Sequence, residues 1–193
     1  NISVSEDTLG SVTVSLGSMV VASRAGAVQI KAVPSSSKTI NGTSFDQMKI
    51  VTENSGILID ASAGELGGIL EAYNTGIPNT MGKLDRLAAA FVNEINSLHV
   101  SGFGLQNPPR AGINFFMGNS AATIGLDLTD TSGGSLPGSA PDLNNIAAAE
   151  PPGAPGNNTI ALRIAALARN GVGSTGNVTL PQFYNNMVSE LGI

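Results

Sequence analysis

The residue best suited to acid–base chemistry is the single histidine, His99. A histidine acts as a general base in hydrolases beside nucleophilic and acidic partners, and it binds zinc together with further ligands. The chain has no cysteine, and the sequence offers no obvious triad partner for His99. Because His99 follows Ile95 by one turn near a predicted helix end, we interpret it as a structural or capping residue.

Two other patterns have the residue types of a ligand site. In the sequence GVGSTG, Gly171, Gly173 and Gly176 have the spacing of a dinucleotide-binding loop. That loop should leave a strand and open a helix, whereas this one follows a predicted helix. Asp127 and Asp130 lack the alternating oxygen ligands of a calcium loop. We therefore do not expect a dinucleotide site at GVGSTG, we expect a turn at Asp127 and Asp130, and we expect no cofactor and no metal.

Composition excludes several classes of function. The chain has 9 basic and 14 acidic residues among 193, a net charge of -5, with charged residues at 12%. Phosphate binding needs a basic stripe, so nucleic acid is not an expected partner. No window holds the roughly 18 continuous apolar residues of a membrane span. The chain begins at Asn1 without a signal-peptide pattern, and we expect it to be a fragment.

The region 1–60 predicts antiparallel β-structure. Val12, Val14 and Leu16 alternate with small polar residues, which is the period of a half-buried strand. Glycines separate this run from later strand-like runs. Pro34 and the three serines that follow it predict a surface loop between strands.

The region 61–102 predicts a long helix. Ser62 and Glu65 have the spacing of a capping box, so the helix is expected to start there. Pro78 disfavours helical backbone at the residue before it, and the helix is expected to bend or divide near this point. Gly102 is expected to end the helix in a left-handed conformation.

A regular apolar stripe runs along the second part of this helix. Its positions are separated alternately by four and three residues, which keeps them on one helix face. These seven positions, here called the packing seam, are Ile77, Met81, Leu84, Ala88, Phe91, Ile95 and Leu98. Such a stripe needs a partner helix, because water does not favour an uncovered apolar strip. The helices predicted near the C-terminus are the expected partners within this chain.

The remaining residues complete an α+β prediction. Region 103–156 is loop-rich with short strands, and region 157–193 predicts two helices, about 160–169 and 180–191. The expected fold is an antiparallel β-rich N-terminal part packed with a helical bundle that is built on one long helix. The predicted regions are 1–60, 61–102, 103–156 and 157–193.

The long helix and its flanks carry a resemblance to a known family. The residues that carry it are Gly64, Leu66, Gly67, Gly68, Leu70, Leu84, Asp85, Leu87, Ala88, Phe91, Ile95, Asn96, His99, Gly102, Phe115 and Phe116. In this order they resemble the central region of the bacterial flagellar hook-associated protein 1 family, which joins the hook to the filament. The early strands and closing helices also fit, whereas the Pro/Gly-rich stretches 107–110 and 131–156 depart from the family.

The resemblance implies a structural adapter subunit at the hook–filament junction, acting by protein–protein assembly and not an enzyme. The implied partners are copies of itself in a ring, the flagellar hook protein and the second hook–filament junction protein. An extracellular flagellar location follows, with export that needs no cleaved signal peptide. The family's terminal helices, which form the inner tube, are expected to lie outside this sequence.

Two alternatives from other classes stay open at this stage. One is a small hydrolase or ligand-binding domain, with His99 as the base and the GVGSTG loop holding an anion. The other is a surface-displayed adhesive or carbohydrate-binding domain whose binding loops lie within 103–141.

Overall fold

The structure is a computed structural model that describes residues 2–40, 42–105, 111–128, 142–151 and 154–192. It contains two compact units, Asn1–Gly82 and Lys83–Ile193, so the division falls within a helix. The division into four regions made from the sequence stays a prediction. The predicted loops at 107–109 and 131–141, together with Asp130, lie outside the described residues.

The first unit begins with a four-stranded antiparallel sheet in the order β1-β2-β3-β4. The strands are β1 (Ile2–Glu6), β2 (Val12–Leu16), β3 (Met19–Ser23) and β4 (Gly26–Ala27). Asp7 shapes the first turn, since its carboxylate accepts from the N–H groups of Leu9 and Ser11, each at 2.8 Å. The alternating run at Val12–Leu16 is therefore a strand, as its period predicts.

A long antiparallel hairpin follows, formed by β5 (Ile30–Ile40) and β6 (Thr43–Thr52). The surface loop predicted at Pro34 is wrong, because this stretch belongs to β5. Proline cannot donate to the strand ladder, and the register shifts between Pro34 and Ser36. The serines then bond across the hairpin: Ser35 Oγ donates to Gln47 O at 3.1 Å, and Ser37 Oγ to Asp46 Oδ1 at 2.7 Å.

The predicted long helix is present as three consecutive segments, α1 (Gly64–Glu71), a π-helical turn (Ala72–Gly76) and α2 (Ile77–His99). The predicted capping box is wrong. The N-cap residue is Ala63, and no side chain caps the helix. The N–H of Ser62 instead donates to Asp60 Oδ1 at 3.1 Å.

The helix continues through Pro78 because other groups satisfy the backbone there. Pro78 has no N–H for the carbonyl of Asn74 four residues earlier, and Gln47 Nε2 donates to that carbonyl at 3.3 Å. The π turn also places the Asn74 side chain against β6. Its Oδ1 accepts from Met48 N at 2.7 Å, and its Nδ2 donates to Met48 O at 2.8 Å. The expected irregularity is thus the π turn just before the proline, without a break in the helix.

Among its described residues, the second unit contains the rest of α2 and the helices α3 (Thr159–Ala166) and α4 (Leu180–Glu190). Two short strands, β7 (Phe116–Met117) and β8 (Gly125–Leu126), pair antiparallel. Single 3-10 turns occur at Leu143–Asn145 and Gly173–Thr175. A true capping box starts α4, where Thr179 and Gln182 bond to each other's backbone N–H. The α+β class predicted from the sequence is confirmed.

Gly102 follows the end of α2 by three residues and does not have the predicted left-handed conformation. Its φ is not positive, unlike that of the glycines that turn the chain elsewhere. Instead it is a point of close approach, since an added Cβ would lie 3.0 Å from Ala147 Cβ and 3.0 Å from Ile160 Cγ1. The left-handed stop is therefore wrong, and glycine is required here by space.

Each unit has its own apolar core. In the first unit Ile50, Ile59 and Ala61 are buried, and Leu16, Met19, Leu66 and Leu70 pack against them. In the second unit Ala90, Val172 and Leu180 are buried together, and Leu87 packs against them. Within the described part of the chain, no helix has both the length and the apolar character needed to cross a membrane.

We expect Asn74→Ala to lower the free energy of unfolding by about 1–3 kcal/mol, because the partly buried N–H and C=O of Met48 lose their partners. Urea denaturation followed by circular dichroism measures this loss. Asn93→Ala is the matched control, since Asn93 is exposed on α2 and the change carries the same gain in helix propensity. Equal midpoints for the two variants would show that the Asn74 contacts contribute nothing.

Candidate functional site

The packing seam begins in the first unit with two exposed side chains. Ile77 is 53% exposed and Met81 is 37% exposed. Both follow the π turn, and the side chain of Ile69 on α1 is exposed as well. Large apolar side chains on the surface of this helix therefore lie uncovered within the unit.

In the second unit the seam lines an apolar groove of about 590 Å³. The seam residues in its wall are Leu84, Ala88, Phe91 and Ile95. The other lining residues are Leu87, Ala121, Ile124, Ile164, Ala165, Leu167, Ala168, Leu180 and Pro181. They come from α2, from the turn before β8, from α3 and its C-terminal end, and from the start of α4. The groove has almost no polar atoms to bind a polar ligand, so its chemistry is that of apolar contact.

The most buried stripe of α2 follows the seam only in part. Ala88 and Ile95 are buried and belong to the seam. At the next positions the chain buries Val92 and His99, at 4% and 1% exposure, while the seam residue Phe91 is 38% exposed. Leu98 is half-buried and does not line the groove. The role of the seam as a packing surface stays a prediction, while its central residues form one wall of an open groove.

Asn96 holds one side of this groove in place. Its Oδ1 accepts from the N–H groups of Phe115 and Phe116, each at 2.9 Å, and its Nδ2 donates to Phe116 O at 2.8 Å. The ring of Phe116 then contacts that of Phe91, with centroids 5.4 Å apart. Sequence reasoning gave Asn96 no such role, and the available signal was an asparagine inside a helix that disfavours it.

Asp85 fixes a second part of the wall. Its Oδ1 accepts from Ala121 N at 2.9 Å, in the turn that precedes β8. Within the same turn Thr123 Oγ1 bonds to Ser120 Oγ at 2.7 Å. The turn that supplies Ala121 and Ile124 to the groove is thus held from α2 by a hydrogen bond as well as by its own side chains.

His99 lies buried at the end of α2 and uses both ring nitrogens for backbone contacts. Nδ1 lies 2.7 Å from Ile113 O, and Nε2 accepts from Ala147 N at 2.9 Å. A carbonyl oxygen only accepts, so Nδ1 carries the proton and the ring is neutral. Burial lowers the pKa of His99 below its ordinary value, and the bond to Ile113 opposes this shift. No ring nitrogen is left to act as a base on a substrate.

Comparison with known families decides what kind of protein this is. Residues 1–116 match the model of the flagellar hook-associated protein FlgK helical domain. The chain belongs to the FlgK family. It is therefore a structural, hook-associated component of the flagellum, and the resemblance found in the sequence is confirmed. No match was found among curated proteins.

The part of the chain that matches the FlgK helical domain includes the strands of the first unit and all of α2. It ends at Phe116, so it also contains Asn96, His99 and the seam. The residues that complete the groove on α3 and α4 lie beyond the matched range. The groove thus combines a family element with a segment that follows it in the chain.

The GVGSTG sequence forms a closed turn. Val172 and Val178 pair across it, and Thr175 Oγ1 donates within it, at 2.9 Å to Val172 O and 2.7 Å to Val178 O. Gly171 is needed by close approach, because an added Cβ would lie against the carbonyl of Asn177. The hydroxyl of Thr175 and the backbone groups of Val172 and Val178 are thus used to close the turn itself. Among the described residues, no three ionisable side chains lie together as a metal site would require.

Which face of α2 is buried can be tested by placing a carboxylate at either of two neighbouring positions, Phe91 or Val92. We expect Val92→Asp to cost more than about 3 kcal/mol, because it buries an unpaired carboxylate. Phe91→Asp should cost about 2 kcal/mol, because its side chain borders the open groove and loses mainly the ring contact with Phe116. Thermal melts followed by circular dichroism compare the two. A larger loss for Phe91→Asp would mean that the buried face is the predicted seam.

Proposed function

We propose that this chain is part of a structural adapter at the hook–filament junction of the flagellum, and that it acts by protein–protein assembly. Membership of the FlgK family supports the hook-associated role. The family resemblance supplies the proposed partners: copies of the protein in a ring, the hook protein and the second junction protein. The proposed location is extracellular, reached without a cleaved signal peptide.

The observation that carries this proposal is the apolar groove along α2. Four seam residues from Leu84 to Ile95 extend over three helical turns, about 16 Å at 1.5 Å per residue. The groove offers apolar contact along this length and has almost no polar groups for catalysis. A surface of this kind suits the apolar face of another helix, which would meet it at every third or fourth residue.

We propose that the part of the packing seam in the second unit is this helix-binding surface in the assembled protein. Its members in the groove are Leu84, Ala88, Phe91 and Ile95. The occupant is an amphipathic helix from the full-length assembly, in line with the terminal helices that the resemblance placed outside this sequence. Small side chains at Ala88, Ala165 and Ala168 let such a helix approach closely.

Neither alternative function gains an observation of its own. The hydrolase hypothesis needs a free nitrogen on His99 and an open anion loop, whereas both ring nitrogens and the hydroxyl of Thr175 are engaged in backbone hydrogen bonds. The adhesive hypothesis relies on loops within 103–141, of which 106–110 and 129–141 lie outside the described residues. The assembly role is therefore the function that we propose.

The groove is tested by adding a charge to its wall in the full-length protein. Ala165 and Ala166 are neighbours on α3 and both are exposed, but only Ala165 lines the groove. We expect Ala165→Glu to lower attachment to isolated hook ends by more than tenfold, because the occupant would have to bury a carboxylate. Sedimentation of labelled protein with purified hooks measures attachment.

Ala166→Glu is the matched control, since it adds the same charge to the same helix outside the groove. It should leave attachment within twofold of the unchanged protein. Equal loss in both variants, with both still folded by circular dichroism, would remove the groove from the proposal. If the unchanged full-length protein did not attach to hook ends at all, the junction role itself would be wrong.

A further inference from the structure

We infer that His99 is an acid-sensitive latch, which ties the segment 142–149 to the C-terminal end of α2 only while its ring is neutral. The term latch is used here for His99 together with its two backbone partners, Ile113 O and Ala147 N. The inference concerns the second unit alone and does not depend on the proposed junction role.

The latch connects positions that are far apart in the sequence. Ile113 lies 14 residues after His99 and Ala147 lies 48 residues after it. All three residues are buried, at 1% exposure for His99, 8% for Ile113 and 5% for Ala147. Water is therefore excluded from both hydrogen bonds, and each group depends on its protein partner.

The two hydrogen bonds of the His99 ring fit only its neutral form. The ring donates from Nδ1 to a carbonyl and accepts at Nε2 from an amide, which is the neutral Nδ1-H tautomer. A proton added to Nε2 would face the N–H of Ala147, so two donors would meet at 2.9 Å with no acceptor. Because an unsatisfied buried donor is costly, Ala147 must move away when the ring is charged.

Among the described residues, both hydrogen-bond partners of the ring are uncharged backbone groups. The charged groups on the elements packed around the ring are Glu94 on α2, Asp127 after β8, and Asp142 and Glu150 at the ends of the 142–150 stretch. The stretch 111–116 contributes none. The causes that shift the pKa of His99 are burial and the bond to Ile113, without a carboxylate contribution. Glu150 is paired with Arg163 at 3.6 Å.

Other contacts decide how far the change can spread. Backbone hydrogen bonds hold the chain next to Ala147. Phe103 N donates to Ala149 O at 2.9 Å, and Ile160 N donates to Ala148 O at 3.0 Å. The turn between Val172 and Val178 is closed by its own hydrogen bond, in which Val172 N donates to Val178 O at 3.0 Å. Protonation should therefore loosen the region around Ala147 first and leave the Val172 turn intact.

The sign of the pH effect follows from linkage. A lowered pKa in the folded state means that the unfolded chain, with an ordinary value of 6.5, takes up the proton first. The contribution of the latch is complete above this value, falls as the pH drops below it, and levels off below the folded pKa. The steepest possible dependence is tenfold in the opening constant for each pH unit.

The test is amide hydrogen exchange of the 193-residue chain, resolved by NMR between pH 7.5 and 4.5 and corrected for intrinsic exchange rates. The protection of the Ala147 amide should be constant above about pH 6.5 and fall below it, by up to about tenfold per pH unit. The Val172 amide is the internal control and should keep its protection. In His99→Gln the pH dependence at Ala147 should disappear.

Three results would overturn the inference. Parallel loss of protection at Ala147 and Val172 would indicate global unfolding instead of a local latch. Constant protection at Ala147, while the ring nitrogen resonances of His99 titrate, would show that the charge is tolerated in place. Protonated Nε2 at pH 7.5 would contradict the tautomer. The comparison of the Ala147 amide with the Val172 amide in the unchanged chain still tests the inference even if His99→Gln does not fold.

Discussion

A proline inside a helix leaves a carbonyl without its donor, and at Pro78 this carbonyl belongs to Asn74. Gln47 donates to that carbonyl from β6. The π turn 72–76 adds one residue to the helix, which shifts the positions that follow it in the first unit, such as Ile77 and Met81, by about 100°. The directions in which these two side chains point within the first unit therefore depend on this turn, which contacts the hairpin through Asn74.

The helix uses an asparagine in the same way in each unit. Asn74 bonds to both backbone groups of Met48, and Asn96 bonds to the backbone of Phe115 and Phe116. Asparagine weakens a helix, because its side chain competes for backbone hydrogen bonds. Short strands and loops, however, have backbone groups that need partners away from water. The hydrogen bonds that each asparagine makes to the backbone of another segment offset its cost to the helix.

The sequence predicts the elements that have a strong period, and it misses those that depend on distant partners. Strand alternation at Val12–Leu16 and the helical period of α2 are local, so the α+β class follows from them. The bonds made by Asn74, Asn96 and His99 span 26, 20 and 48 residues, and no local pattern encodes them. Val92 is more buried than the seam residue Phe91, and a strict heptad template drifts from the 3.6 residues per turn of a straight helix.

The groove is connected to the buried histidine by a row of ring contacts. The centroids of His99 and Phe115 are 5.3 Å apart, those of Phe115 and Phe116 4.7 Å, and those of Phe116 and Phe91 5.4 Å. Each such pair contributes about 0.5–1.5 kcal/mol, so displacing Phe115 removes support from the next two rings. Phe91 is the last of them and borders the groove. The wall of the groove therefore depends on how the 111–116 segment is held, as well as on α2 itself.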